Sequence, residues 1–197
     1  MPSCTRTWPS CVGVNLRMQA GLWHNERAEG KAKLERKFME NMAQLRVQQY
    51  LAAYGLGARY LDLTVSSATV AEAAQALNCT PGQIAKTLSL LVAGKPILLV
   101  TAGDTKLDNH KYKQYFHCKA QMCPRENLTQ WVGFSAGGIC PFALQSGVTV
   151  YIDKSLTRFD LIYPAGGTAH SAVRLTLAEL MMLTQVKELI DVCKLAA

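Results

Sequence analysis

The chain of 197 residues is 49% hydrophobic and 18% charged, with 21 Lys and Arg against 14 Asp and Glu for a formal charge of +7. That apolar content, with 8% aromatics, excludes a mostly disordered chain and a collagen-like repeat, and the length suits one domain with a real core. The longest apolar runs, Leu88 to Ala93 and Ile97 to Val100, fall far short of the roughly 20 residues of a membrane span, so no membrane partner is expected.

The charge is uneven: residues 1–38 hold seven Lys and Arg against three Glu, a net +4, and leave +3 for the rest. From Met1 to Gly30 no strand or amphipathic period is present, and no apolar stretch follows a basic start as in a secretory signal. The reading is a basic N-terminal appendage over 1–38 and a domain over 39–197. The appendage is compatible with a flexible arm, a transit peptide or an extension upstream of a start at Met39 or Met42, and the expected location is cytoplasmic, or organellar if the opening is a transit peptide.

A helical period runs from Lys31 to Tyr54 with Leu34, Phe38, Met42, Leu45 and Leu51 on its apolar positions and stops before Gly55. Alternation over Tyr60 to Val65 predicts a strand, and the spacing of Thr69 and Glu72 predicts a capping box opening a helix to Leu77. Thr87 to Val92 and Pro96 to Thr101, joined by Ala93-Gly94-Lys95, form a predicted hairpin. Asp108 caps a helix to Phe116, Arg125 to Trp131 forms another, and Val148 to Ile152 returns to strand. The last predicted helix covers Thr176 to Leu195, with Leu180, Leu183, Val186, Leu189, Ile190 and Cys193 on one side. Strands and helices alternate irregularly with no internal repeat, so the expected class is α/β in the mixed α+β sense, a partly antiparallel mixed sheet surrounded by helices.

Seven cysteines without a CxxC pair suggest reduced thiols rather than a disulfide framework. His117, Cys118 and Cys123 are the nearest approach to a metal pattern and lack a completing ligand, so neither a metal nor a cofactor is expected. Gly133-Phe-Ser-Ala-Gly137 has the GxSxG spacing, but it follows a predicted helix rather than a strand, so Ser135 does not sit in a nucleophile elbow; no GxxxxGK[ST] loop, HExxH helix or GxGxxG after a strand occurs.

What remains are glycine loops and isolated polar residues. Gly137-Gly138-Ile139-Cys140-Pro141 can gather amide N–H groups around an oxyanion, or be a plain tight loop. Lys86, at the mouth of an apolar strand, is a candidate phosphate contact or a solvent-facing edge residue. His170, after Gly166-Gly167, is a candidate base or a surface histidine. Cys140 is read as a small pocket-lining residue rather than a nucleophile.

In this order, Ile84-Ala-Lys-Thr-Leu88, Leu107-Asp108 with Lys111, Gly137-Gly-Ile-Cys-Pro-Phe142, Val150-Tyr-Ile-Asp153 and Tyr163-Pro-Ala-Gly-Gly167 resemble the YbaK/EbsC family. These are free-standing relatives of the editing domain inserted in bacterial prolyl-tRNA synthetases, and the likeness runs from about Gln44 to the end. It implies the editing fold and a trans-acting aminoacyl-tRNA deacylase without metal. Lys86 would hold the phosphate of the terminal adenosine; Gly137 and Gly138, with Ile139, Cys140, Pro141 and Phe142, would bind the aminoacyl carbonyl and its oxyanion; Gly166, Gly167 and His170 would wall the aminoacyl pocket. Water attack would then be assisted by the tRNA or the substrate itself. Relatives acting on cysteinyl-tRNA carry a Ser and an Asp where this chain has Ala165 and Ala172, which favours Ala, Ser or Thr over Cys as the amino acid. The implied partners are the acceptor end of aminoacyl-tRNA and a synthetase or elongation factor sharing it; the oligomeric state stays open. The competing reading is a non-catalytic tRNA-associated adaptor of the same fold.

Overall fold

A computed structural model describes residues 16–196. The chain divides into two units, Met1–Phe38 and Met39–Ala197. The first helix, α1 (Leu16–Ala53), supplies all of the described part of the first unit, where a Lys31 to Glu35 ion pair of 3.9 Å lies in solvent. It begins fifteen residues ahead of the predicted start at Lys31, because residues 16–30 hold no proline and, Gly21 and Gly30 apart, are mostly good helix formers, and helix propensity needs no amphipathic period. The first part of the basic appendage expected over 1–38, residues 1–15, lies outside the described residues.

In the second unit, Ala43, Val47 and Leu51 of α1 recur at helical spacing and bury one face against the main core. A short strand β1 (Tyr60–Asp62) follows, then α2 (Val70–Ala76), opened by the predicted capping box of Thr69 and Glu72. The predicted hairpin is β2 (Ile84–Val92) and β3 (Lys95–Ala102), and β4 (Thr105–Leu107) leads into α3 (Asn109–Phe116), whose first amides bond the Asp108 carboxylate. A single turn, α4 (Leu128–Trp131), precedes β5 (Thr149–Asp153), β6 (Tyr163–Pro164) and β7 (Ser171–Val173). The chain closes with α5 (Leu177–Thr184), β8 (Leu189–Ile190) and β9 (Cys193–Leu195).

Five strands form a mixed sheet in the order β6-β2-β3-β5-β8, antiparallel between β2 and β3 and parallel elsewhere. Two antiparallel ribbons, β1 with β7 and β4 with β9, flank it. The mixed sheet with its surrounding helices is the expected fold class.

Two sequence expectations are corrected. The strand predicted to Val65 ends at Asp62, since its partner β7 stops at Ser171 and the next backbone bonds, from Leu63 N to His170 O (2.9 Å) and Ser67 N to Ala169 O (2.7 Å), go to a turn. The closing helix stops at Thr184, with Gln185 left-handed at φ 57°. Beyond it the free edge of β5 captures Leu189 and Ile190, and the buried Asp153 carboxylate accepts from Val192 N (2.9 Å) and Cys193 N (3.1 Å). Edge pairing outweighs a helical period that only Leu180 and Leu183 bury.

No helix of the described residues is long and apolar enough to cross a membrane. Asp153 also caps the turn after β5 through Ser155 N (2.9 Å). Asp153→Ala leaves these amides unpaired, and is expected to lower unfolding stability by about 3 kcal/mol in urea titration, with β8 and β9 the first amides to lose exchange protection.

Candidate functional site

The outer edge of β2 is covered unevenly. β6 pairs with it only at Ile84 and Ala85, and further along Leu91 N and Ser89 O bond to Gln121 and Cys123. Between these covers lie Lys86 and Thr87, and there a cavity of about 160 Å³ opens. Its walls are Ser67 to Val70 at the start of α2, the Gly137 and Ile139 loop, and Tyr163 to Ala165 with Ser171 and Ala172 around the β6 to β7 connection.

Those three walls are stitched to one another. Ser67 bonds the Ala169 carbonyl through both N (2.7 Å) and Oγ (3.0 Å). Within the turn that follows β6, Ser171 Oγ lies 2.9 Å from Thr168 Oγ1 and accepts from Thr168 N (3.1 Å), while His170 N donates to Thr168 Oγ1 (3.2 Å). Gly138 lies flat against that turn: a Cβ there would come within 2.7 Å of the Thr168 backbone. A glycine is required where two backbones approach so closely. Gly137 has φ 90°, the left-handed region that glycine adopts without strain.

Lys86 is the one charged residue among the described residues lining the cavity. Its Nζ donates to the carbonyls of Gly103 (3.2 Å) and Thr105, and burial pushes its ammonium below the ordinary lysine range. An ammonium carries three donors, so these two carbonyls leave one of them over. The Thr87 hydroxyl is buried without a hydrogen-bond partner among the described residues. Gly138 N is bonded to Ser135 O (3.2 Å), whereas the N–H groups of Gly137 and Ile139 have no partner among the described residues. The lining thus brings together one cation, the Gly137 and Ile139 loop, hydroxyl side chains and small apolar residues, with no imidazole or carboxylate among them.

A family model described as aminoacyl-tRNA editing domain matches residues 64–183. The chain belongs to that family. It is 42% identical over 134 residues to an uncharacterized protein of Bacillus subtilis (strain 168), YwhH, covering 68% of this chain and 85% of that one. Among solved structures, a candidate trans-editing enzyme for prolyl tRNA synthetase superposes with a TM-score of 0.70 at 29% identity, over 77% of this chain and 97% of the other. A hypothetical protein matches with a TM-score of 0.69 at 27% identity, covering 76% and 99%.

In this editing domain the predicted residues do not all converge. Lys86, Gly137 and Ile139 meet at the cavity, and Gly138 and Gly166 are buried behind it, Gly166 donating its N–H to Ser171 O (3.0 Å). Gly167, at φ 102°, faces Phe134 and Val47 in the core instead. His170, expected to wall the pocket, is exposed and outside its lining, with Ser171 and Ala172 in its place. Cys140 is corrected from a pocket residue to a core residue: it is fully buried in the main cluster, and burial pushes its thiol far above the usual range. Pro141 and Phe142 line a separate, more open groove of about 920 Å³ with Tyr50 and Tyr151, where Tyr50 stacks on Phe142 at 5.9 Å. Apolar residues two and four positions beyond a turn glycine are drawn to a core, so proximity in sequence did not carry them to the site.

Sequence reading missed Thr87, Ser171 and the Ser67 to Val70 wall. The Thr69 capping box was visible, but only as a helix start; nothing local places that start against Lys86.

Two outcomes check this geometry. Gly138→Ala drives the loop away from Thr168 and is expected to reduce ligand affinity at the cavity at least tenfold while far-UV circular dichroism stays unchanged. Native protein treated with a thiol reagent should leave Cys140 unlabelled, and the residue should react only on unfolding.

Proposed function

We propose that the protein is a trans-acting deacylase that hydrolyses the ester of tRNA carrying a small amino acid, Ala, Ser or Thr in preference to Cys. The observation that supports this reading is the cavity at the open edge of β2, with one cation on one side, two unpaired loop amides on the other and no side-chain base between them. Its volume of about 160 Å³ equals about five waters at roughly 30 Å³ each, room for a small side chain. Ala165 and Ala172 stand among its walls at the two positions where relatives acting on cysteinyl-tRNA carry a Ser and an Asp.

In this mechanism Lys86 takes the phosphate of the terminal adenosine and sets the ester against the Gly137 and Ile139 amides. A water oxygen bonds to the ester carbonyl carbon, the charge moves to the carbonyl oxygen under those amides, and the bond to the ribose oxygen then breaks. The water proton ends on that ribose oxygen, relayed by the neighbouring ribose hydroxyl or the substrate's own polar group. An ester is an activated acyl donor, so positioning and oxyanion stabilisation supply the rate, with one such donor worth about 3 kcal/mol. No step requires a metal or cofactor. Residues 1–38 are read as a basic appendage, and the net positive charge draws the acceptor end of tRNA in a salt-dependent way. A synthetase or an elongation factor shares the charged tRNA.

The test is hydrolysis of tRNAs charged with Ala, Ser, Thr, Cys and Pro. Wild type is expected to release one or more of the first three faster than Cys, and Lys86→Ala to lower kcat/KM by about a hundredfold, the range seen when a transition-state contact is removed. His170→Ala, outside the cavity lining, should stay within threefold of wild type. Release of no amino acid above buffer would overturn the deacylase reading in favour of a non-catalytic adaptor.

A further inference from the structure

Lys86 is anchored at a place that ought to silence it. The two carbonyls that hold its Nζ belong to Gly103 and Thr105, the residues on either side of Asp104. A carboxylate between two carbonyls that grip an ammonium is that ammonium's natural partner, and pairing would cancel the charge offered to the cavity. Both oxygens of Asp104 are instead held by Arg158, with Nη1 donating to Oδ2 (2.9 Å) and Nη2 to Oδ1 (2.6 Å). Bidentate pairing of this kind fixes direction as well as charge.

Arg158 is itself oriented by other contacts. Its Nε donates to the Ser155 carbonyl (2.9 Å) and its guanidinium lies 4.8 Å from the Phe159 ring centre. The Phe159 ring in turn packs on Gly82, where a Cβ would stand 2.4 Å from it. The remaining ionisable neighbour of Lys86, Cys193, is neutral, burial having pushed its thiol up to about 11. Lys86, Asp104 and Arg158 together carry one positive charge; without Arg158 they carry none.

We propose that Arg158 is a positioning residue which, by holding both oxygens of Asp104, leaves the Lys86 ammonium uncompensated, so that the cavity selects a phosphorylated nucleoside over the bare nucleoside. This deepens the reading of Lys86 as the contact to the terminal adenosine phosphate and rests on it. The Arg158 and Asp104 side chains are 39% and 33% exposed, and exposed pairs contribute little to stability, so their removal registers at the site rather than in the fold.

The experiment measures the affinity of the whole chain for adenosine 5′-monophosphate and for adenosine by calorimetry, and takes the ratio. Wild type is expected to prefer the phosphorylated ligand, and Arg158→Gln to cut the preference about tenfold as Asp104 turns to Lys86. The double variant Asp104→Asn with Arg158→Gln should recover the wild-type ratio within twofold, because removing the carboxylate makes its clamp unnecessary. Lys86→Ala should abolish the preference. If Arg158→Gln fails to fold, Arg158→Lys carries the same test with a loss of a few fold, since an ammonium cannot hold both oxygens in a planar fork. No preference in wild type, an unchanged ratio in Arg158→Gln, or a double variant as weak as the single one would each overturn the proposal. Ratios that follow the expected pattern in a protein that hydrolyses no charged tRNA would uphold it and overturn the deacylase reading instead.

Discussion

The incomplete cover on the outer edge of β2 is the constraint on which the site depends. A sheet edge with unpaired backbone groups is normally closed off, and here it is closed at Ile84 and Ala85 by β6 and beyond Ser89 by residues 121–123. Lys86 and Thr87 fall in the interval between. Were β6 two residues longer, the cavity would be filled by a strand. Its early departure, as the chain turns through Ala165 towards β7, leaves room for an outside group to approach the backbone and side chains of a central strand.

Rigidity around that interval comes from backbone rather than from large side chains. Ser67 grips the Ala169 carbonyl, Thr168 and Ser171 brace their own turn, and Gly138 lies against the Thr168 backbone. Segments far apart in sequence therefore share one position, and a displacement in one is felt by all three. Such preorganisation suits chemistry in which donors must stand where charge develops. It also accounts for small residues at Ala68, Ala165 and Ala172, where bulk would close a cavity of this size.

The electrostatics have the same character. A lysine at the mouth of an apolar strand is tied to two carbonyls of the turn between β3 and β4, and the carboxylate of that turn is held by an arginine from the segment after β5. A second carboxylate, the buried Asp153, is given over to backbone amides and organises the β8 and β9 end of the sheet. These acidic groups thus hold structure, and Lys86 is the one charged residue among the described residues lining the cavity.

Local patterns in the sequence determined the hairpin, the capped starts of α2 and α3, the mixed sheet class and the family, because capping, turn chemistry and strand alternation act within a few residues. They also singled out Lys86, Gly137 and Ile139. Only the tertiary structure decided that Leu189 and Ile190 leave a helical period to pair with β5, that Cys140 faces the core, that His170 stands outside the cavity, and that Thr87 and Ser171 line it. Each of these turns on which surface a residue meets when distant segments come together, and an exposed strand edge or a close backbone approach has no signature in the few residues that make one side of it.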